Sequence, residues 1–277
     1  MTPTSALAAR TPAPHFSFSQ LRTYLTCPLR YQFRYLARRP PERVGAAQLL
    51  GAALHAVLAS YYASRQAGHP APPPTLRAIL AEELERQRLE AEAPLQFTAD
   101  APDWAAVAEQ GQRLLGTFLA AAPAGLAGWS VVGVELFLAA PLLDEGGHPT
   151  ATELVGILDL LLEDARGNLL VVDHKSGKTA FTQAGVDRDL QFSAYAALLS
   201  QTGYLAPHQD LACRFDLLRK LKTPKLERWE TRRTPGDQRA FQKLATTVRR
   251  AIAEGLFWPA PGWSCATCAY PEACRRY

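Results

Sequence analysis

Three charged residues stand in two otherwise apolar segments in the middle of the sequence, and their types and spacing are suited to chemistry. Asp159 lies within the apolar stretch 154–162, whereas Asp173 and Lys175 end the apolar run that starts at residue 169. Because side chains on a strand alternate between its two faces, Asp173 and Lys175 are expected to point the same way. Burying a charge costs free energy unless the charge is paired or bound to a metal ion. These positions are therefore candidates for a reactive site.

A structural ion pair at the end of a strand would by itself explain Asp173 and Lys175. Asp159 favours a second explanation, because the turn-forming segment 164–168 predicts a hairpin that brings Asp159 close to Asp173. Two converging carboxylates repel each other unless a cation lies between them, and oxygen ligands favour Mg²⁺ or Mn²⁺. Such an ion can polarise a phosphodiester and activate a bound water, while Lys175 orients that water or neutralises charge on the phosphate. The pattern indicates phosphodiester hydrolysis.

The elements that must position these residues follow from apolar periodicity and from breaker residues. Predicted helices start after a capping Ser19 and at Pro28, cover 49–62, lie near 75–92 and 102–121, cover 186–201, and run from Thr234-Pro235 to about Gly255. Predicted strands cover 129–138, 153–162, 169–175, 210–219 and 225–232. Helices, a small sheet and further helices in this order predict an α+β or mixed α/β arrangement.

Composition sets broad limits on the class of protein. The chain has 277 residues, of which 48% are hydrophobic, so it can bury a sizeable core. The net charge of +4 permits nucleic-acid binding without arguing for it. No apolar run approaches the roughly 18 residues of a membrane helix, and residues 1–14 lack the features of a secretory signal. We therefore expect a cytoplasmic protein with no membrane partner and a disordered leader over residues 1–15.

Four short motifs occur in the order and at the separations found in one nuclease family. They are G-x-x-x-H at Gly51–His55, G-x-x-D at Gly156–Asp159, D-x-K at Asp173–Lys175, and Q-x-x-x-Y at Gln191–Tyr195. Each motif alone is weak, but the ordered set is specific. The sequence resembles the PD-(D/E)xK nuclease superfamily and, within it, the RecB-like branch.

The resemblance implies an α/β fold with a restriction-endonuclease-like core. A central mixed sheet at 126–233 would follow a mainly helical part at 16–125, and a C-terminal helix with a cysteine-bound tail would occupy 234–277. All of 16–277 would form a single nuclease domain.

The resemblance also implies roles for the motif residues. His55, Asp159 and Asp173 would bind the metal ion with help from the His174 backbone carbonyl, and Lys175 would be the catalytic lysine. Gln191 and Tyr195, four residues apart on one helical face, would position the active site or contact DNA. Without the other motifs, His55 would be interpreted as a satisfied histidine at the edge of the core, and the Gln191–Tyr195 pair as a polar helix face.

The remaining acidic residues carry weaker signals. Glu135 lies between apolar neighbours on a predicted strand, and the sequence leaves two explanations open, a further acidic site residue or an ordinary charge on an edge strand. Four aspartates have no partner pattern and are predicted to lie on the surface: Asp187, Asp189, Asp210 and Asp216.

Five cysteines form a second constellation. An odd count without a secretion signal argues against a disulfide framework. Cys265, Cys268 and Cys274 lie close together near the C-terminus, and Cys27 lies near the N-terminus, so metal ligation is the first hypothesis. Cys213 alternates with apolar residues on a predicted strand and is expected in the core.

The segment 17–28 around Cys27 resembles the entry motif of RecB-like nucleases that bind a four-iron four-sulfur (4Fe-4S) cluster. In that family one N-terminal cysteine and three cysteines after the core hold the cluster, and this chain matches the pattern. Four thiolates suit either such a cluster or structural zinc, and four unconnected thiols are a further alternative. A bound cluster would join the two ends of the chain and remove conformational entropy from the unfolded state.

Basic residues form three clusters that are candidates for contacts with DNA phosphates. Each cluster alone is expected to be a solvated face. The members are Arg30, Arg34, Arg38, Arg39 and Arg43 in the first, Arg219, Lys220, Lys222 and Lys225 in the second, and Arg249 and Arg250 in the third. No base-reading motif accompanies them, so little sequence specificity is expected.

The sequence therefore predicts a metal-dependent deoxyribonuclease, an exonuclease on single-stranded DNA or DNA ends in repair or recombination. It contains no G-x-x-x-x-G-K-[ST] motif and so no ATP motor of this kind, which leaves a helicase as a partner protein. Alternatives are a non-catalytic DNA-end-binding module stabilised by the cluster, a subunit of a helicase–nuclease complex, and the same enzyme with zinc in place of iron.

Overall fold

A mixed β-sheet runs through the centre of the protein, in a computed structural model that describes residues 15–277. Its six strands within these residues are β1 (His15–Ser17), β4 (Trp129–Leu143), β5 (Pro149–Asp164), β6 (Leu169–Gly177), β7 (Leu211–Arg219) and β8 (Lys225–Arg233). Two short strands, β2 (Val44–Gly45) and β3 (Leu95–Gln96), form a separate pair.

Helices cover both faces of this sheet. They are α1 (Phe18–Thr26), α2 (Pro28–Tyr31), α3 (Ala46–Gln66), α4 (Pro73–Leu89), α5 (Trp104–Gly125), α6 (Gln183–Asp187), α7 (Leu190–Gln201), α8 (Pro235–Ala253) and α9 (Pro271–Arg275). A π-helical turn over Gln32–Leu36 continues α2, and a 3₁₀ turn over Trp263–Thr267 precedes α9. No helix within 15–277 has both the length and the apolar character needed to cross a bilayer.

The central strand β5 has different partners along its length. It pairs antiparallel with β4 over most of its extent, and its opposite edge pairs first with β1, in parallel, and then with β6, antiparallel. Strand β6 runs parallel to β7, and β7 runs antiparallel to β8. The predicted hairpin between β5 and β6 and the predicted β7–β8 pair are both confirmed, and so is the expected α/β fold with a mixed sheet flanked by helices.

Two apolar cores lie on opposite faces of the sheet. The α7 core contains Phe192 and Leu198 of α7, Phe241 of α8, and the strand residues Leu158 and Val171. The α3 core contains residues of α3, α4 and α5 together with Leu160, Leu162, Leu170 and Val172. Cys213 is 1% exposed within the α7 core, as predicted. Each face of the sheet is therefore sealed by a different set of helices.

Local signals fixed most helix ends, with two differences from the predictions. The first helix is capped by Ser17, whose hydroxyl accepts a hydrogen bond from Gln20, and not by Ser19. The region 186–201 is two helices, because Asp189 starts α7 as its N-cap by accepting from the Gln191 amide at 2.8 Å. Thr234 caps α8 in a reciprocal capping box, as the Thr-Pro start predicted.

The predicted disordered leader at residues 1–15 lies outside the described residues except at its last position. His15 is not part of a leader in this structure, because it begins β1 and pairs with Glu153 of β5.

Asp216 is a second correction, since it is buried and not on the surface. Its side chain is 2% exposed and lies 2.7 Å from the guanidinium of Arg214, which is itself 5% exposed. Arg214 also donates to the Gly125 carbonyl at the end of α5, at 3.3 Å and 3.4 Å. This buried ion pair joins β7 to the end of α5.

We predict that Asp216→Ala lowers the free energy of unfolding by about 3–5 kcal/mol, because it leaves the Arg214 charge buried without a carboxylate. The double variant Arg214→Met/Asp216→Leu should lose less, since it removes both charges. Urea unfolding measures the difference, with exposed Asp210→Ala as a control expected within about 0.5 kcal/mol of the parent. A double variant less stable than Asp216→Ala would contradict this account.

Candidate active site

The candidate site lies where β5 and β6 separate. The two strands are paired from Glu163↔Leu169 to Leu160↔Val172, and the ladder ends there. Asp159 and Asp173 are the next residues on the two strands. Beyond this point β6 stays paired with β7 alone, up to Gly177. Because the strands separate here, side chains from the helices on either side of the sheet can contact both aspartates.

Asp173 faces the α7 core, where three polar side chains surround its carboxylate. Gln191 donates from Nε2 to Asp173 Oδ1 at 2.7 Å and to the Tyr195 hydroxyl at 2.8 Å, and the Tyr195 hydroxyl lies 3.5 Å from the same Oδ1. Lys175 Nζ lies 2.5 Å from Asp173 Oδ2. The predicted D-x-K and Q-x-x-x-Y residues therefore form one network, with Asp173 1% exposed at its centre.

Asp159 turns towards α3. Its Oδ2 accepts a hydrogen bond from the His174 backbone N–H at 2.7 Å and lies 3.3 Å from His55 Nδ1. The His174 ring lies on the same side, with Nδ1 3.6 Å from Asp159 Oδ2 and Nε2 3.4 Å from the Tyr62 hydroxyl. The sequence had suggested a role only for the His174 backbone, and its buried ring is an additional neighbour of Asp159.

Glu135 completes a group of three possible metal ligands. One ligand atom each from His55, Glu135 and Asp159 lies within 4.8 Å of the other two. Of the two explanations that the sequence left open for Glu135, this placement favours a site residue over an ordinary edge charge.

Glu135 and Asp159 both lie where the backbone of their strands is irregular. Residues two apart on a regular strand share a face, yet Leu158 packs in the α7 core and Leu160 in the α3 core. On β4, Leu136 packs against the α7 core and Val134 against the α3 core. Glu135 itself has φ of 46°, a conformation that is costly for a residue other than glycine. Both strands thus change face at the residue that carries the carboxylate.

The electrostatics of the three carboxylates differ. Burial opposes the charged form of Asp159, but hydrogen bonds from His174 and His55 outweigh it and hold the pKa of Asp159 below its ordinary value. Burial and the neighbouring Asp159 raise the pKa of Asp173, although Lys175 opposes the rise. Partial desolvation and Asp159 likewise raise the pKa of Glu135, even though its side chain reaches solvent. Crowded carboxylates of this kind are suited to a bound cation.

The donor set fits a divalent metal ion. His55, Glu135 and Asp159 supply one imidazole nitrogen and carboxylate oxygens, which suit Mn²⁺ and Mg²⁺. Asp173 is not part of this group of three, and its buried Oδ2 is paired with Lys175 Nζ at 2.5 Å. The role of Asp173 as a metal ligand stays a prediction.

A cavity of about 390 Å³ opens onto Lys175 and Gln191. Its other lining residues come from α1, α2, the π-helical turn and the start of α3, and include Arg22, Arg30, Arg34 and Gln48. A substrate in this cavity would meet the lysine and the arginines together, which suits a phosphate group.

The four predicted ligand cysteines are brought together from both ends of the chain. All are free thiols, and the charges of Cys27, Cys265 and Cys268 act on Cys274, whose pKa is raised first by burial and then by these neighbours. Backbone N–H groups of Gly262 and Tyr270 donate to the sulfurs of Cys265 and Cys268, both at 3.4 Å. Such N–H···S contacts suit thiolates held as ligands.

Glu42 and Arg43 hold the cysteine tail in a way that the sequence did not suggest. The Arg43 guanidinium donates to the carbonyls of Cys268 at 2.8 Å, Ala266 at 3.1 Å and Cys265 at 3.3 Å. The Glu42 carboxylate accepts from the backbone of the first turn of α9 at 2.7 Å and 2.8 Å. The sequence groups Arg43 with candidate phosphate-binding arginines, because no sequence signal distinguishes a free arginine from one that binds carbonyls more than 220 residues away.

Comparison with known proteins bears on the family and the fold of the chain. The model of the PD-(D/E)XK nuclease superfamily matches residues 15–275. A crystal structure of a candidate exonuclease from Eubacterium rectale is similar with a TM-score of 0.55 and 13% identity, covering 100% of this chain and 93% of that one. The structure of a protein named SSO0001 aligns over 93% of this chain and 95% of its own with 13% identity, but the TM-score is 0.34. No curated protein matches significantly.

The two motif glycines differ in their surroundings. A Cβ atom on Gly156 would lie 2.7 Å from Leu198 Cδ1 and 3.6 Å from the Tyr195 ring, so this glycine lets α7 pack closely on β5. A Cβ atom on Gly51 would meet nothing nearer than Ser176 Oγ at 3.8 Å, an ordinary contact. Close packing therefore favours a glycine at 156, where a Cβ atom would displace the Leu198 methyl group, but not at 51.

We predict that Gly156→Ala lowers the free energy of unfolding by about 1–3 kcal/mol through overpacking and reduces activity, because it displaces the helix that carries Gln191 and Tyr195. Gly51→Ala, the matched control, should be neutral or stabilising by about 0.5–1 kcal/mol, as alanine favours a helix interior. Urea unfolding and turnover measurements on both variants test the contrast, and the reverse order of stabilities would refute it.

Proposed function

Because the chain belongs to the PD-(D/E)XK nuclease superfamily, we propose that it is a divalent-metal-dependent deoxyribonuclease of the RecB-like branch. The observation that carries this proposal is the arrangement at the fork. Asp159 lies with His55 and Glu135 on one side, Asp173 with Lys175 and Gln191 on the other, and a cavity rich in arginine opens onto Lys175.

Different side chains of the site have different roles in the proposed phosphodiester hydrolysis. His55, Glu135 and Asp159 would hold Mg²⁺ or Mn²⁺, with Asp173 and the His174 backbone carbonyl as further ligands. When bound, such an ion activates a water molecule and stabilises charge on the phosphate. Lys175, 29% exposed and anchored by Asp173, donates to the attacking water or to a phosphate oxygen at the cavity. Gln191 and Tyr195 fix the orientation of Asp173.

We infer an exonuclease acting on single-stranded DNA or DNA ends, in repair or recombination in the cytoplasm, with a helicase as a possible partner protein. The E. rectale protein's description as an exonuclease supports the exonuclease assignment. The small size of the cavity at Lys175 supports it too. The contrasting function is a non-catalytic module that binds DNA ends. The network around Asp173 favours catalysis, because it places Lys175 both beside a buried acid and at the wall of the cavity.

We predict that the purified protein degrades end-labelled DNA in Mn²⁺ or Mg²⁺, and that Asp159→Asn or Lys175→Ala lowers turnover at least about 100-fold. Gel analysis of single- and double-stranded substrates labelled at either end gives strand preference and polarity. Glu163→Gln is the matched control, because Glu163 is an exposed carboxylate on the same strand four residues beyond Asp159.

Two results would count against catalysis. One is a metal-loaded, folded protein that binds DNA ends but cleaves no DNA form. The other is a Lys175→Ala variant with the turnover of its parent.

We further propose that Cys27, Cys265, Cys268 and Cys274 bind a 4Fe-4S cluster. Among the described residues, no three of these sulfurs lie within 4.8 Å of one another. A tetrahedral zinc site, with Zn–S bonds of about 2.3 Å, needs sulfurs about 3.8 Å apart. The resemblance of the segment 17–28 to cluster-binding nucleases is what supports the 4Fe-4S assignment, and the role of the cluster would be to tie the tail to α1 and α2.

We predict that the protein purified without oxygen is brown, contains about four irons per chain, and bleaches on reduction. Cys274→Ala should lose the colour and lower the unfolding temperature, whereas Cys213→Ala should keep the colour, because Cys213 lies in the α7 core. A colourless parent with one zinc per chain would overturn the iron assignment.

A further inference from the structure

Three arginines of the first basic cluster, together with the neighbouring Arg22 of α1, form no ion pair among the described residues. In residues 15–277, Arg22, Arg30, Arg34 and Arg38 have no carboxylate within 4.0 Å. In the other clusters, Arg219 pairs with Glu227 at 2.8 Å, and Arg250 lies 3.8 Å from Glu145. Lys220, Lys222, Lys225 and Arg249 also have no carboxylate within 4.0 Å in this part of the chain, so the first cluster is distinguished by the cavities that its arginines line.

These free arginines line one continuous groove. The 390 Å³ cavity at Lys175 and a second cavity of about 570 Å³ share Arg30, Arg34 and Gln48. The second cavity continues past Arg38 to the cysteine tail, where Tyr270 forms part of its wall. We call the two cavities together the arginine groove. Glu92 is the one acid among its lining residues, so its potential is strongly positive.

The backbone spaces the arginines regularly. Arg30, Arg34 and Arg38 are four residues apart along α2 and the π-helical turn Gln32–Leu36. Arg38, just beyond the turn, has φ of 46°, a conformation that costs free energy outside glycine. π-Helical turns and strained residues occur often at functional sites, because straightening them would misplace a side chain.

An aromatic ring stands beside these cations. The Arg34 guanidinium lies 5.3 Å from the centre of the half-buried Tyr35 ring, and Tyr35 lines the same cavity as Lys175 and Gln191. An arginine and an aromatic ring side by side offer a phosphate contact and a surface for stacking a base.

We propose that the arginine groove binds a single DNA strand whose end enters the active site, with phosphates on Arg30, Arg34 and Arg38 and a base against Tyr35. This inference rests on the proposed function and deepens it. Each cavity has the volume of a small-molecule pocket, which takes a few nucleotides of a flexible strand but not a stiff duplex. The cysteine tail forms one wall, so the tail shapes the strand's path.

The test measures binding separately from cleavage. Lys175→Ala protein, which is expected not to cleave, is titrated with a fluorescein-labelled single strand of about 20 nucleotides, and anisotropy gives the affinity over a range of NaCl concentrations. In this background Arg30→Ala/Arg34→Ala should weaken binding at least about tenfold and reduce the slope of log affinity against log salt by about 1.4, since each phosphate contact on single strands contributes about 0.7.

A matched control removes the same charge elsewhere. Arg166→Ala/Arg239→Ala also deletes two exposed arginines, and neither of these lines the groove. It should leave the salt slope nearly unchanged. Arg30→Lys/Arg34→Lys should keep most of the slope, and Tyr35→Leu should weaken binding without changing the slope. Unfolding temperatures of all variants show whether the fold is kept.

The possible outcomes separate this inference from the proposed function. If the groove and control variants lose affinity and slope equally, the groove is not the binding path, even if the parent cleaves DNA. If only the groove variants reduce the slope of log affinity against log salt while the parent cleaves no DNA, the groove is the binding path and the nuclease proposal fails. A duplex bound more tightly than the single strand, with the same dependence on Arg30 and Arg34, would overturn the strand assignment.

Discussion

The separation of β5 from β6 is the constraint on which the site depends. Backbone pairing holds the strands together up to Leu160↔Val172, and the next residue on each strand is an aspartate. If the ladder continued, the two carboxylates would face each other in a closed sheet with no room for an ion. Because the strands part, Asp159 reaches His55 on one side and Asp173 reaches Gln191 on the other.

The fork is stabilised by polar contacts that replace the missing strand pairing. The His174 backbone N–H, which can no longer pair with β5, donates to the Asp159 carboxylate. The Asp173 carboxylate is held by the first turns of α7, whose close approach to β5 depends on the absence of a side chain at Gly156. The cost of burying these charges is offset by hydrogen bonds that also fix their orientation.

A second theme is the connection between the ends of the chain and the site. The segment from α1 through the π-helical turn lines the cavity at Lys175, and its other side packs against the cysteine tail through Leu29, Phe33 and Tyr270. Glu42 and Arg43 add hydrogen bonds to that tail. Any interaction that holds the cysteine tail in place therefore also holds in place the segment that carries the arginines of the groove.

The sequence by itself determined every strand of the central sheet except β1, the β5–β6 hairpin, the α/β class and the motif residues that meet at the fork, because these depend on periodicity, turn residues and spacing along a few residues. It did not determine the place of Glu135, the burial of Asp216 or the role of Arg43. Each of these is decided by a partner distant in sequence or by an irregular backbone: His55 and a φ of 46° for Glu135, Arg214 and the end of α5 for Asp216, and the carbonyls of the tail for Arg43. Local patterns record which residues are charged, but only tertiary packing decides which charges meet.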